Sequence, residues 1–235
     1  MEKLRILCLH GYHGSAQLMR RQLAVLVDCV DELAEFAYLD APSLATGDFG
    51  WWHAKAAESA DAGAVRGAKH YQGWQRTIDA IVSAFALQGP FDGVFGFSQG
   101  AALASLLVGL RLSGRPAASE AVGSTTGILS HAESLAFDFA VMVGGFVVAD
   151  ANLARLYGEK SNYDLPSAHI VGRSDAVVPK EASFALASKF KNPLILEHEG
   201  GHVISNAPHI RQQFRAFLEE MRQRKQAIGL PAKGC

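Results

Sequence analysis

Short apolar runs alternate along the chain with segments of helical periodicity, and this alternation restricts the possible folds most strongly. The runs are rich in Val, Ile, Leu and Phe and lack the polar alternation of a half-exposed strand, so we interpret them as strands buried on both faces. They span residues 4–9, 33–39, 91–97, 139–146, 168–171 and 194–196, and the clearest helical segments span 77–87, 99–110, 182–190 and 210–221. Strands that alternate with helices indicate an α/β fold, a mostly parallel sheet with helices on both faces.

The size of the chain favours one domain. Of its 235 residues, 49% are apolar and 19% are charged, which is enough apolar material for a large core. Two segments, near 43–73 and 113–133, interrupt the alternation and are long for connections within a compact domain. We therefore expect a single domain over residues 1–235 with two lid-like insertions.

Charge and cysteine content limit the partners and the compartment. The chain has 22 Lys and Arg and 23 Asp and Glu, a net charge of −1, so no overall positive field favours nucleic acid as the main partner. Three cysteines without a C-x-x-C pair, together with an N-terminal apolar run too short for a signal peptide, favour a cytoplasmic protein. The longest apolar runs fall short of the roughly 20 residues that span a bilayer.

The motif Gly96-Phe97-Ser98-Gln99-Gly100 matches G-x-S-x-G. It directly follows a predicted strand and opens a predicted helix, which is the strand-turn-helix setting of a nucleophile elbow. Glycines suit this turn because backbone segments approach too closely there for a Cβ atom. A strand-to-helix turn with a capping serine is the simpler interpretation, but the context favours Ser98 as a nucleophile.

A serine nucleophile needs a base, and the base needs a carboxylate that orients it. His202 is the candidate base, since it follows the predicted strand 194–196 and so lies at the carboxyl edge of the sheet, as Ser98 does. Asp175, after the predicted strand 168–171, is the favoured carboxylate. Asp150, after the predicted strand 139–146, is the alternative.

An oxyanion intermediate needs two fixed donors. The backbone N–H of Gln99 is one candidate, because it follows the nucleophile at a helix N-terminus. The N–H of Tyr12, in the glycine-rich loop after the first strand, is the other. Trp51 and Trp52 follow the second strand and could form a wall of an acyl pocket, although they could equally anchor the loop to the core. We expect apolar acyl groups to be preferred over charged ones.

Two alternative functions stay open at this stage. His198-Glu199-Gly200-Gly201-His202 matches the H-E-x-x-H motif of zinc peptidases, but two adjacent glycines disfavour the helix that this motif requires. A non-catalytic ligand-binding protein with the same fold is the second alternative, because a sequence does not show the geometry of a site. The favoured chemistry, hydrolysis at Ser98, requires no metal and no organic cofactor.

Several motifs together resemble the "family of serine hydrolases", a group of small α/β-hydrolase esterases and thioesterases that includes stand-alone thioesterases of polyketide pathways. The resemblance covers nearly the whole chain and rests on residues 6–11, 40–42, 51–52, 71–73, 89–100, 169–179 and 200–202. It implies an α/β-hydrolase fold with six main-sheet strands in the order 2-1-3-4-5-6. It also implies that Ser98, Asp175 and His202 form a triad that hydrolyses a small-molecule acyl ester or thioester.

Overall fold

A computed structural model describes residues 2–42, 50–56, 69–113, 134–158 and 162–229. Its large sheet consists of six parallel strands: β1 (Leu4–Leu9), β2 (Ala34–Leu39), β5 (Gly93–Phe97), β6 (Phe139–Val143), β7 (Ser167–Gly172) and β8 (Leu194–His198). The strand order is β2-β1-β5-β6-β7-β8. Counted within this sheet alone, that order is 2-1-3-4-5-6, which confirms the predicted α/β-hydrolase arrangement.

Helices cover the sheet on both faces. They are α1 (Ala16–Asp28), α2 (Trp74–Gln88), α3 (Gln99–Ser113), α4 (Ala151–Ala154), α5 (Lys180–Ala187) and α6 (Pro208–Gly229). One apolar layer joins the sheet to α2, α3 and α5, and the other joins it to α1 and α6. Within β6, Ala140 and Met142 belong to the first layer and Val141 and Val143 to the second, as the alternation of side chains along a strand requires.

The prediction that the strands are buried on both faces is correct for the inner strands and wrong for the two edges. Every residue of β5, β6 and β7 is buried. Most residues of the edge strand β2 are only partly buried, and β8 begins with the exposed Leu194 and Ile195. An edge strand pairs with a neighbour on one side only, so its other side is open to solvent.

The first predicted insertion contains a β-hairpin that the sequence pattern does not reveal. Its strands are β3 (His53–Ala56) and β4 (Lys69–Gln72), which pair antiparallel apart from the main sheet. The rest of this insertion, 43–49 and 57–68, lies outside the described residues. So does the second predicted insertion, 113–133, except for Ser113 at the end of α3.

The parallel sheet brings the ends of several strands to one edge. The loops after β1, β5, β7 and β8 carry Tyr12, Ser98, Asp175 and His202 respectively. Ligand sites in open α/β sheets lie at this carboxyl edge. None of the described helices is both long and apolar enough to cross a membrane.

Candidate active site

Ser98 occupies a sharp turn between β5 and α3. Its φ of 54° is in the left-handed region, which non-glycine residues rarely adopt. A Cβ added to Gly96 would lie 2.2 Å from the carbonyl oxygen of Gly100, and a Cβ on Gly100 would lie 2.0 Å from that of Leu9. Both glycines of the motif are therefore required by the close approach of backbone segments, as the sequence analysis expected of a nucleophile elbow.

The three residues predicted as nucleophile, base and orienting acid lie in one hydrogen-bonded chain. His202 Nε2 is 2.8 Å from Ser98 Oγ, and His202 Nδ1 is 2.7 Å from Asp175 Oδ2. The carboxylate can only accept, so the consistent tautomer carries its proton on Nδ1 and leaves Nε2 to accept from the serine hydroxyl. This arrangement can remove the proton from Ser98 and stabilise the resulting imidazolium.

Asp175 is fixed by its own loop. It is 8% exposed, and its Oδ1 accepts hydrogen bonds from the backbone N–H groups of Val177 at 2.9 Å and Val178 at 2.8 Å. The other oxygen therefore points to His202. A Cβ added to Gly144 would lie 3.0 Å from His202 Cε1, so the backbone after β6 passes directly against the imidazole.

Asp150, the alternative acid, is committed to other contacts. Its Oδ1 accepts from the N–H groups of Asn152 and Leu153 at the start of α4, and its Oδ2 accepts from Tyr71 N at 2.8 Å. The His70 imidazole lies 3.7 Å from the same Oδ2. Asp150 thus joins the loop after β6 to the hairpin, whereas the imidazole of His202 has Asp175 as its carboxylate partner.

The two residues proposed as oxyanion donors flank the serine. Gln99 is the first residue of α3, so its N–H has no acceptor within the helix. Tyr12 lies in the turn after β1, and a Cβ added to the adjacent Gly11 would lie 3.3 Å from Ser98 Cβ. The β1 turn therefore passes directly over the serine. Either N–H could stabilise negative charge that develops beside Ser98.

His10 is a structural residue of this site that the sequence analysis did not identify. Its Nδ1 donates to the carbonyl of Gly11 at 2.7 Å, and its Nε2 accepts from Ala41 N at 3.0 Å. Burial lowers the pKa of His10, which favours the neutral form that this pairing requires. The signal available in the sequence was its position between the strand and Gly11.

The tryptophan pair is divided between the core and the site. Trp51 is fully buried, and its Nε1 donates to the carbonyl of His10 at 2.8 Å. The side chain of Gln99 clamps the backbone of the pair, since Oε1 accepts from Trp51 N and Nε2 donates to the carbonyl of Trp52. Of the two, only Trp52 lines the cleft beside Ser98. Trp51 therefore has the position of a core anchor and Trp52 that of a pocket wall, the two alternatives that the sequence left open for the pair.

A cleft of about 490 Å³ opens beside Ser98 and Gln99. One wall comes from the β1 loop and the hairpin region and consists of Tyr12, Trp52, Ala54, Lys69 and Tyr71. A second, apolar part of the lining consists of Phe146, Val177, Val178, Pro179 and Ala182. The rings of Trp52 and Tyr71 stack in parallel with their centres 4.9 Å apart, which gives the first wall a rigid aromatic surface.

The H-E-x-x-H segment has a different geometry from a zinc motif. His198 ends β8, and its Nδ1 accepts from Gly200 N at 3.1 Å within a turn rather than a helix. His202 is paired with Ser98 and Asp175. Among the described residues, no three His, Cys, Asp or Glu side chains lie together in a way that could hold a metal ion. These contacts give no support to the zinc-peptidase interpretation.

Comparison with known proteins agrees with this geometry. "Esterase CG5412" of Drosophila melanogaster is 30% identical over 94% of this chain and 76% of its own length. "Esterase OVCA2" of Xenopus tropicalis is 30% identical over 92% of this chain and 93% of its own length. The crystal structure of the Bacillus cereus carboxylesterase shares the fold, with a TM-score of 0.58 and 15% identity over 93% of this chain and 89% of that one.

A family model described as "Serine hydrolase (FSH1)" matches residues 1–214. The match includes every residue of the hydrogen-bonded chain and both proposed oxyanion donors. The elbow at Ser98 and the hydrogen bond between Ser98 and His202 agree with this match. The chain belongs to the FSH1 family of serine hydrolases.

Proposed function

We propose that this protein hydrolyses an acyl ester or thioester through an acyl-enzyme intermediate formed on Ser98. The observation that carries the proposal is the continuous chain from Asp175 Oδ2 through His202 to Ser98 Oγ, with both links under 3 Å. Membership of a serine hydrolase family and likeness to proteins named esterases support it.

The reaction has two halves. Ser98 Oγ attacks the substrate carbonyl while His202 Nε2 takes the hydroxyl proton, and Asp175 stabilises the imidazolium. The bond from the carbonyl carbon to the leaving oxygen or sulfur then breaks, and His202 protonates the leaving group. Water next attacks the acyl-enzyme and gives a proton to His202, which returns it to Ser98 Oγ as the acid departs.

The N–H groups of Tyr12 and Gln99 hold the oxyanion of both tetrahedral intermediates. The amide of Gln99 adds the favourable electrostatic field of a helix N-terminus. The loss of one such donor typically costs about 100-fold to 1,000-fold in kcat. The hydrogen bonds of His10 to Gly11 and Ala41 fix the β1 loop and so help to position the N–H of Tyr12.

The cleft receives the acyl group. The leaving atom must lie near His202 Nε2 to receive its proton. Ser98 and Gln99 line the cleft and His202 does not, so the leaving group lies outside the cleft and the acyl group inside it. The acyl chain then runs along the Trp52 wall and the apolar part of the lining. No cofactor enters these steps.

The remaining features of the proposal concern the whole chain. We expect a single α/β-hydrolase domain whose first insertion frames the cleft. Cys8 and Cys29 are free thiols, which is compatible with a cytoplasmic protein.

A fluorophosphonate probe tests the proposal directly. Wild-type protein should be labelled on Ser98 and should hydrolyse para-nitrophenyl esters after exhaustive chelation. Ser98→Ala should lose label and turnover, whereas the matched variant Ser188→Ala, at an exposed serine after α5, should keep both. Labelling elsewhere would refute the proposal. Ester binding without turnover would favour the ligand-binding alternative, and activity that chelation abolishes and zinc restores would favour the zinc peptidase.

A further inference from the structure

Lys69 gives the acyl cleft a positive charge. The other lining residues of this cleft are aromatic, aliphatic or uncharged polar side chains. Lys69 is thus the only charged residue that lines it in the part of the chain that the structure describes. No acidic side chain is among the described residues that line the cleft.

The hairpin register explains why this lysine faces the cleft. Side chains alternate across a strand, so Lys69 and Tyr71 share one face of β4 and His70 lies on the other. Ala54 pairs with Tyr71 and also lines the cleft, whereas Lys55 pairs with His70. The face that carries Lys69 is therefore the cleft face.

The backbone of Lys69 is fixed independently of any ligand. Its N–H donates to the carbonyl of Ala149 at 3.2 Å, and two residues on, Tyr71 N donates to Asp150 Oδ2. The Tyr71 hydroxyl accepts from Ala149 N at 3.0 Å. These contacts attach β4 to the loop after β6 on both sides of His70, so the start of the Lys69 side chain has a defined place at the cleft wall.

The carboxylate of Asp150, which lies beside β4, already has partners. Both oxygens of Asp150 accept backbone hydrogen bonds, and the imidazole of His70 lies 3.7 Å from Oδ2. Within the described residues, the Lys69 ammonium forms no ion pair with a carboxylate. An ammonium on an apolar cleft, with no carboxylate partner among the described residues, is a complementary site for an anion.

We propose that the natural acyl group carries a carboxylate at the end remote from the scissile carbonyl, and that Lys69 binds it. This inference rests on the proposed function and on the placement of the acyl group in the cleft. A single ammonium matches the single charge of a carboxylate, whereas phosphate sites typically combine several donors. The substrate class is a hemiester or hemithioester of a dicarboxylic acid with an apolar middle section. The sequence alone favours uncharged acyl groups, because nothing in it places Lys69 at the cleft.

Matched substrates and variants test the inference. The para-nitrophenyl hemiester of adipic acid and para-nitrophenyl hexanoate have equal acyl lengths and differ in the terminal charge. In Lys69→Met, the ratio of kcat/KM for the charged ester to that for the neutral ester should fall about fivefold, the factor that corresponds to an exposed ion pair of about 1 kcal/mol. Lys69→Arg should retain the ratio, and so should Lys55→Met on the opposite face of the hairpin. Salt should lower the wild-type ratio.

The outcomes separate this inference from the proposed function. An unchanged ratio in Lys69→Met, with both esters hydrolysed, would overturn the assignment of Lys69 alone. A fall in the ratio of equal size in Lys55→Met would show only a general field of the hairpin and would also overturn it. A response confined to esters whose alcohol carries the carboxylate would overturn the placement of the acyl group. If the wild type hydrolyses neither ester, the proposed function itself fails.

Discussion

The loops after β6 and β7 each contain an aspartate turn of almost the same local structure, and the two aspartates have different partners. Asp150-Ala151-Asn152-Leu153 follows β6, and Asp175-Ala176-Val177-Val178 follows β7. In each loop Oδ1 of the aspartate accepts from the backbone N–H groups two and three residues later. The loops differ in the partner of Oδ2, which is His202 Nδ1 for Asp175 and Tyr71 N for Asp150.

This comparison shows that one local motif can hold a carboxylate against a histidine in one loop and against a backbone N–H in another. The cap at Oδ1 fixes the carboxylate, and the chain segment that packs opposite decides what Oδ2 contacts. At β7 the opposing segment is the His202 loop, so the carboxylate can orient a base. At β6 the opposing segment is strand β4, so the carboxylate holds the wall that carries Lys69 and Tyr71.

The largest difference between the two loops should be seen in kcat. In Asp175→Asn, an amide N–H₂ facing His202 favours the wrong tautomer of the imidazole, and kcat should fall by about 10⁴. The measurement is steady-state turnover of a short neutral ester, with the fold checked by circular dichroism. Asp164→Asn, at an exposed aspartate paired with Lys191, is the matched control and should leave kcat unchanged. Activity near wild type in folded Asp175→Asn would remove Asp175 from the proposed triad.

The strands of the main sheet and the elbow turn at Ser98 could be predicted from the sequence, because those features follow from local patterns. Inner strands are continuous apolar runs, and the elbow carries its own glycine signature. The hairpin was not predictable in this way. Neither His53–Ala56 nor Lys69–Gln72 has an apolar strand pattern, and their position depends on contacts with Ala149 and Asp150 that are distant in sequence.

The sequence could not decide between the two aspartates, because the contacts that distinguish them are also distant in sequence. Their capping segments are alike and both follow predicted strands, so the sequence favoured Asp175 without excluding Asp150. The separate tasks of Trp51 and Trp52 were equally hidden, because adjacent aromatic residues look the same until the clamp of Gln99 sets their directions. The catalytic roles of the site residues stay predictions, and the following variants test them.

The tryptophan pair distinguishes the anchoring of the site from the selection of the acyl group. Trp51→Ala should lower the free energy of unfolding by about 3 to 5 kcal/mol, the usual cost of emptying a buried aromatic site. Trp52→Leu should change the ratio of kcat/KM for long against short acyl esters by about tenfold, since one methylene in an apolar pocket is worth about 1 to 3 kcal/mol. Chemical denaturation and a chain-length series measure these effects.

The more conservative variant Trp51→Phe is the control for this pair, since it keeps an aromatic ring in the core. It should leave the chain-length ratio intact. An altered ratio in Trp51→Phe, with none in Trp52→Leu, would reverse the assignment of the two rings.

The strand that leads to the Asp175 loop should make the fold sensitive to acid. Burial of His169 on β7 lowers its pKa to about 3, so the folded state keeps it neutral while the unfolded state takes up a proton near pH 6.5. A depressed pKa for a histidine means that stability is lost as pH falls below the unfolded value. Between pH 7.5 and pH 5, His169 should account for about 2 kcal/mol of lost unfolding free energy.

The replacement His169→Phe removes this titration and keeps a ring beside Phe190, whose centre lies 5.0 Å away. Urea unfolding at the two pH values should show a smaller loss in the variant by that amount. An equal pH dependence of His169→Phe and wild type would contradict the assignment.

Asp150→Asn should have the smallest effect on turnover. The informative result is whether KM or kcat changes. An asparagine can keep the cap at α4 with its oxygen, but its amide then faces Tyr71 N, so the hairpin loses an acceptor that the structure uses. A buried donor left without its acceptor costs about 1 to 3 kcal/mol, and the unfolding free energy should fall by about that amount. In the proposed placement the hairpin wall contacts the acyl chain and not the reacting atoms, so KM should rise severalfold for long or carboxylate-ended acyl groups. In contrast, kcat for a short neutral ester should change less than threefold.

A kcat loss that approaches that of Asp175→Asn, in a folded variant with unchanged KM, would move the orienting acid to Asp150 and erase the distinction between the two loops.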